Sequence, residues 1–504
     1  MGTTQLRRIS RFVAGSVATL GVALAGPASA APAAVAVFHP TVADYVQLTT
    51  GNTPPTQAQC ASVARTCFSP QAIQSAYDLG PLYKAGLNGQ GMTIAIVDSY
   101  GSDTIAHDLH VFNTAFGLPS MCGEEGVTCT AGMPTFSQLH IQGSPATKAP
   151  PPTSKGTGQE NKSAWALEVS LDVETSHAIA PGANILLVTT PTAETLGVQG
   201  FPDMMNAEQY VIDHHLANVI SQSFASAEEG FSSFSALMSL RFAYISAAQN
   251  GVTVLGSSGD GGTANIKKTP VHAGGSLIPF PTVEWPASDP LVTGVGGTNL
   301  CTDPNATTNQ PRTLYPSPPN PVFRCNGQPT QTEVAWIGSG GGFSHVFSKP
   351  SYQNSLPAGS TPIGSMRGVP DIGFQAAPRT GALVFISLPN DGLSGLICNG
   401  VPCSTGWYDI GGTSLACPQW AGLVAIADQL NGGGLGLINP ALYKLGTNAT
   451  TYAHDFFDVT TGNNAADPTG VVPGYAAGTG WDPVTGLGTP NAANLVPDLV
   501  AAAH

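Results

Sequence analysis

The stretch Gly411–Trp420, GGTSLACPQW, sets Ser414 in a turn of small residues that runs directly into an apolar segment, Leu423–Ala427. A hydroxyl at the start of a buried helix can act as a nucleophile or simply cap the helix. If Ser414 attacks a carbonyl, something must take its proton. Two acids stand four residues apart in AWALEVSLDVE, Glu168 and Asp172. On a helix their Cβ atoms approach within about 5–6 Å; on a strand they lie about 13 Å apart. The apolar residues Trp165, Leu167, Val169, Leu171 and Val173 alternate with period two, which by itself favours a strand. Asp260, in SSGDGG, reads either as a turn aspartate or as a carboxyl beside a reacting centre.

The surrounding chain can position such residues. Short β-branched runs at Met92–Asp98, Asn184–Val188, Val219–Phe224, Gly251–Leu255 and Leu291–Val295 read as buried strands. Helical stretches such as Met204–His215 and Phe234–Gln249 separate them. Strands alternating with helices predict an α/β fold, a mostly parallel central sheet with helices on both faces. Residues 31–67 are Ala/Pro/Thr-rich with little periodicity, and 149–158 and 316–321 read as surface loops.

Bulk properties narrow the class. The 504 residues carry a net charge of −14 and only 10% charged side chains, which excludes the basic stripe of a nucleic-acid binder. Few carboxylates in ion pairs means few interactions lost in acid. Arg7, Arg8 and Arg11, the uncharged 12–25 segment and Ala28-Ser29-Ala30 form a secretory signal over residues 1–30. Export agrees with cysteines close in sequence, whose simplest pairing is Cys60/Cys67, Cys122/Cys129, Cys301/Cys325 and Cys398/Cys403, with Cys417 left as a small buried hydrophobe. Asn305 and Asn448 begin N-x-T sites. The expectation is a secreted monomer, free of the membrane once the signal is removed.

Several further stretches combine with these. LEVSLDVETSHAIAPGANILLV, VLGSSGDGG, WPASDPLVTGVGGTNL, EVAWIGSGGGFSHVFSKPSYQ, RGVPDIGFQAAP and GGTSLACPQWAGLVA occur in that order, followed by HDFFDVTTGNN and GYAAGTGWDPVTGLGTPN. Together they resemble the sedolisin family, the serine-carboxyl peptidases, over most of residues 68–498. The resemblance implies a subtilisin-like three-layer fold and a helix over the acid pair. It implies Ser414 as nucleophile, Glu168 as general base, Asp172 hydrogen-bonded behind it and Asp260 at the oxyanion hole, with polypeptides as substrates. It further implies one structural Ca²⁺ held by the Asp458 and Asp482 carboxylates and the Val459, Gly478 and Gly480 carbonyls, hard oxygen ligands that suit this ion.

The chemistry agrees with those roles. A carboxylate with an unperturbed pKa of about 4.3 remains a base in acid, where a histidine would be protonated. Two nearby carboxyls share a proton and split their titrations. A neutral Asp260 donates to an oxyanion, whereas an ionised one repels it. All three acids point to a low working pH.

Three features depart from the family pattern. Asp98, in IAIVDS, stands where a glutamate is frequent; it either continues the acid network to Asp172 or bonds to backbone. The nucleophile turn begins Gly411-Gly412 rather than Ser-Gly. Residues 31–67 read as a short pro-region or an N-terminal extension where the family carries a long prodomain, leaving 68–504 as the expected peptidase domain. Two competing readings follow. Subtilases share the G-T-S turn but take their base from H-G-T-H, which is absent; a subtilase-type centre would combine Asp98, His177 and Ser414. Otherwise His177 packs behind the acid pair. The second alternative is an inactive secreted binding module on the same fold.

Overall fold

A computed structural model describes residues 39–40, 44–143, 146–148, 159–191, 200–266, 277–315, 325, 331–388, 397–398 and 401–504. The expected signal segment and the loops at 149–158 and 316–321 lie outside these residues.

The predicted strands form the middle of one nine-stranded sheet. Its order is Glu333–Ala335, Thr293–Leu300, Thr253–Ser257, Val219–Gln222, Thr93–Ser99, Asn184–Thr190, Phe136–Gln142 and Thr147–Lys148, with Ile372–Gln375 also paired to Thr293–Leu300. The pairings are parallel except for those of Glu333–Ala335 and Thr147–Lys148. Both faces of the sheet are covered, so its strands are continuous apolar runs. Strand Thr93–Ser99 sends Ile94 and Ile96 into one core and Ala95 and Val97 into the other. The second core contains helices Phe201–Asp213 and Phe242–Gln249. The helix expected over Phe234–Gln249 breaks into Phe234–Met238 and Phe242–Gln249.

Two long helices cover the first face. One, here the acid helix, spans Gln159–Ile179, and the other, the serine helix, spans Thr413–Asn431. The period-two alternation around Glu168 is therefore not a strand. From Leu167 to Ile179 the acid helix is buried throughout, so over that stretch it has no exposed face to impose a 3.6-residue period. The serine helix is buried from Thr413 to Asp428 and is capped by Gly412 at φ +141°, backbone that an L side chain rarely adopts.

The two helices approach closely at Gly422. A Cβ there would stand 2.8 Å from the Ile179 Cβ and 3.2 Å from the Ser176 carbonyl oxygen. Gly422→Ala is expected to cost about 1–3 kcal/mol by overpacking. A lowered denaturant midpoint at unchanged slope checks this.

Residues 44–67, despite their weak periodicity, contain regular structure. Strand Asp44–Thr49 pairs antiparallel with Gly406–Gly411, the strand leading into the Ser414 turn. Helix Gln57–Ser62 starts in a capping box between Thr56 and Gln59. His39–Pro40 pairs with Phe224–Ala227. These stretches are too short for periodicity to register; their tertiary partners decide them. The disulfides are Cys60–Cys67, Cys122–Cys129, Cys301–Cys325 and Cys398–Cys403, and Cys417 is a buried free thiol. No described helix is long and apolar enough to cross a membrane.

Candidate active site

Ser414 occupies the first turn of the serine helix and is fully buried. Its hydroxyl faces Glu168 on the acid helix. Glu168, Asp172 and Asp98 are each 0% exposed and form one acid cluster. The helix brings Glu168 and Asp172 together at i,i+4 spacing, and the end of strand Thr93–Ser99 adds Asp98.

Burial drives the electrostatics of the cluster. It raises Glu168 well above the usual carboxylate range, and the charges of Asp172 and Asp98 raise it further; a hydrogen bond from Ser414 pulls part of that back. Asp172 is raised by burial and then by Asp98, with Ser223 offsetting some of the shift. Burial pushes Asp98 up to about 8. Both Asp98 oxygens are buried without a hydrogen-bond partner, so of its two readings the acid network is the one the structure supports.

Asp260 arrives from the loop after strand Thr253–Ser257. Its Oδ1 accepts from the Thr413 amide at 2.7 Å and the Thr413 hydroxyl at 2.9 Å. Thr413 Oγ1 in turn accepts from the Gly259 amide at 3.0 Å. These bonds fix the carboxyl one residue from Ser414, while Oδ2 is buried and without a hydrogen-bond partner. Burial raises Asp260 well above its usual range, against the lowering effect of Thr413. A carboxyl held in that state keeps its proton and can donate it in a hydrogen bond.

His177 does not join this centre. It lies nine residues along the acid helix from Glu168, about 13 Å at 1.5 Å per residue. Its Nε2 is 2.8 Å from the Pro119 carbonyl oxygen, and burial lowers it to about 4. It therefore packs against the Pro119 segment rather than behind the acid pair. Ser223, which faces Asp172, and Thr413, which holds Asp260, carry no signal of their own among the sequence motifs. Thr413 was legible in principle, as the hydroxyl beside the nucleophile; Ser223 is brought in only by the sheet.

Of the expected calcium ligands, the two carboxylates each bond to the glycine loop. The Asp458 carboxylate accepts from the Gly480 amide at 3.0 Å, and Asp482 Oδ2 accepts from the Gly478 amide at 3.1 Å. The two carboxylates thus bracket one glycine loop, with Val459 buried beside Asp458. Burial raises Asp482 to about 7 despite its hydrogen bonds to Val484 and Thr485. Both side chains offer carboxylate oxygens beside a bent glycine loop, the hard oxygen chemistry that suits Ca²⁺.

Buried acids outside the centre set how stability responds to pH. Burial raises Glu174, Glu208 and Asp409 well above the carboxylate range and Asp428 to about 8. Each holds its proton more tightly folded than unfolded. Their contribution is complete below the unfolded carboxylate pKa of about 4 and is lost as pH rises through the folded values. The melting temperature should fall from pH 4 to pH 8; a rise over that interval would contradict the burial argument.

A mostly parallel sheet between helical layers, with a helix-start serine facing buried carboxyls, defines a subtilisin-like fold carrying a serine-and-carboxyl centre. No family model matches the chain. Kumamolisin of Bacillus sp. (strain MN-32) is 30% identical over 486 residues, 95% of this chain and 72% of that protein. Sedolisin of Pseudomonas sp. (strain 101) is 32% identical over 59% of this chain, and tripeptidyl-peptidase 1 of Macaca fascicularis is 31% identical over 68%. The chain spans 43% and 53% of those two relatives' lengths. Among solved structures, a complex of Pseudomonas sedolisin with pseudo-iodotyrostatin aligns at a TM-score of 0.60 and 26% identity, covering 86% of this chain and 98% of that one. The chain belongs to the sedolisin family of serine-carboxyl peptidases, and it is a serine-type hydrolase.

Proposed function

We propose that the protein is a secreted endopeptidase that works in acid, with Ser414 as nucleophile and Glu168 as general base. The observation that supports this is that Ser414 bonds to Glu168 of the buried Glu168–Asp172–Asp98 cluster, while its neighbour Thr413 anchors Asp260.

Three acids this close lose their protons in steps, and the first to leave does so at the lowest pH. The state with one negative charge on the cluster supplies the base. As Ser414 Oγ bonds to the substrate carbonyl carbon, its proton passes to Glu168. The carbonyl oxygen becomes an oxyanion and receives a hydrogen bond from protonated Asp260. When the C–N bond breaks, Glu168 returns the proton to the departing amine. Water then repeats the sequence on the acyl-enzyme, delivering its proton through Glu168 and releasing the acid. Asp172 and Asp98 hold Glu168 and spread its charge. As pH rises, Asp260 ionises and the oxyanion loses its donor, which sets an upper limit to the active range.

Calcium, if held by Asp458, Asp482 and the Val459, Gly478 and Gly480 carbonyls, supplies a positive charge that offsets two carboxylates and fixes the loop. Chelation is expected to lower the melting temperature by several degrees, as loss of about 2–3 kcal/mol of ligand linkage would. The same drop without chelator is expected for Asp482→Ala; unchanged melting in both would remove the metal from this corner.

Hydrolysis of a denatured protein across pH tests the assignment. An optimum below pH 6, lost in Ser414→Ala, is expected. An optimum at neutral or alkaline pH would sink the carboxylate mechanism. Product masses separate the endopeptidase reading from tripeptide release.

A further inference from the structure

The helix Ala449–Asp455 ends against the C-terminal helix Ala492–Ala503. The Asn491 amide donates to the Asp455 carbonyl oxygen at 2.7 Å, and Asn494 Nδ2 donates to the His454 carbonyl oxygen at 2.9 Å. Asn494 and Asp498 are i,i+4 neighbours, so the helix face that grips His454 also carries the Asp498 carboxyl. One ligating atom from each of His454, Asp455 and Asp498 lies within 4.8 Å of the others. His454 Nδ1 stands 3.3 Å from Asp455 Oδ1.

Asp455 is 0% exposed, and its Oδ2 has no hydrogen-bond partner. A buried carboxylate oxygen left unpaired beside a second carboxyl needs either a proton or a cation between them. The basic side chain at this corner is His454, paired with Asp455, and among the described residues no Lys or Arg pairs with either carboxyl. His454 is exposed at 59% of its side chain and can turn to complete the set.

We propose that His454, Asp455 and Asp498 form a second cation site, taking a divalent ion of the zinc class and clasping the C-terminal helix. One imidazole nitrogen and two carboxylate oxygens suit such an ion, with water completing the shell. Ligands at about 2.0–2.1 Å from a tetrahedral ion stand about 3.4 Å apart, so the three side chains must draw together, which the exposed His454 side chain can do. The donor set differs from the all-oxygen set at Asp458 and Asp482, and the proposal does not rest on the peptidase mechanism.

Calorimetric titration of the full chain with zinc chloride near neutral pH, with calcium present throughout, tests it. One equivalent should bind to the wild-type protein and raise its melting temperature. Asp498→Asn and His454→Ala should each weaken binding about tenfold or more and abolish the melting shift. His454 is exposed, so its replacement leaves the fold and the peptidase activity as controls. If wild-type protein takes up no zinc, or both variants bind as wild type does, the site is overturned and the carboxyls share a proton instead.

Discussion

Glu168→Gln is expected to lower kcat against a peptide substrate by about 10²–10⁴-fold, the usual contribution of a positioned base, with KM nearly unchanged. The amide has the shape of the acid and can still accept the Ser414 hydrogen bond. It cannot take the proton, because its conjugate acid is far too strong. Folding should survive, since burial already disfavours the charged form of Glu168 and the amide carries no charge. The substitution also removes one of the charges that raise the cluster, so the residual activity should lose the wild-type acid limb. Measuring kcat and KM from pH 3 to 8 separates these effects. Wild-type turnover in Glu168→Gln would end the carboxylate-base mechanism. A histidine would then have to act, although His177 is bonded to Pro119 and well away along the helix.

The second large effect concerns Asp260. Asp260→Ala is expected to cost about 10²–10³ in kcat, the loss seen when one oxyanion donor is removed. KM should move little, because the bond strengthens only as the oxyanion forms. Asp260→Asn is the sharper variant. Its carbonyl can keep both Thr413 bonds while its NH₂ donates in place of the acid proton. An amide does not ionise, so this variant should retain more activity than the alanine form. Its alkaline limb should also shift upward wherever Asp260 ionisation sets that limb. Equal, full activity in both variants would show that Asp260 merely anchors the Thr413 turn through the bonds already seen there.

These two acids also show where sequence reading reaches its limit. The order of segments around Ser414, Glu168 and Asp260 carried the family resemblance, because turns such as GGTS and SSGDGG need particular small residues. The strands were legible because a sheet buried on both faces demands unbroken apolar runs. The acid helix was not legible from its pattern. Its enclosed surroundings erase the polar face, and an accidental alternation of Trp165, Leu167, Val169, Leu171 and Val173 pointed to a strand.

From the sequence by itself came the residue types: a serine at a helix start, carboxyls in place of a histidine base, a glycine loop between Asp458 and Asp482, and cysteines paired at short range. Those are local properties, set by backbone sterics and by neighbours a few residues away. Tertiary structure alone decided that Asp98 joins the acids and that His177 turns to Pro119. It also decided that residues 44–49 become a strand and that Asp498 meets Asp455 across two helices. Each of these depends on contacts between distant parts of the chain. Their energy comes from burial and desolvation, and neither has a value until the surrounding elements are packed.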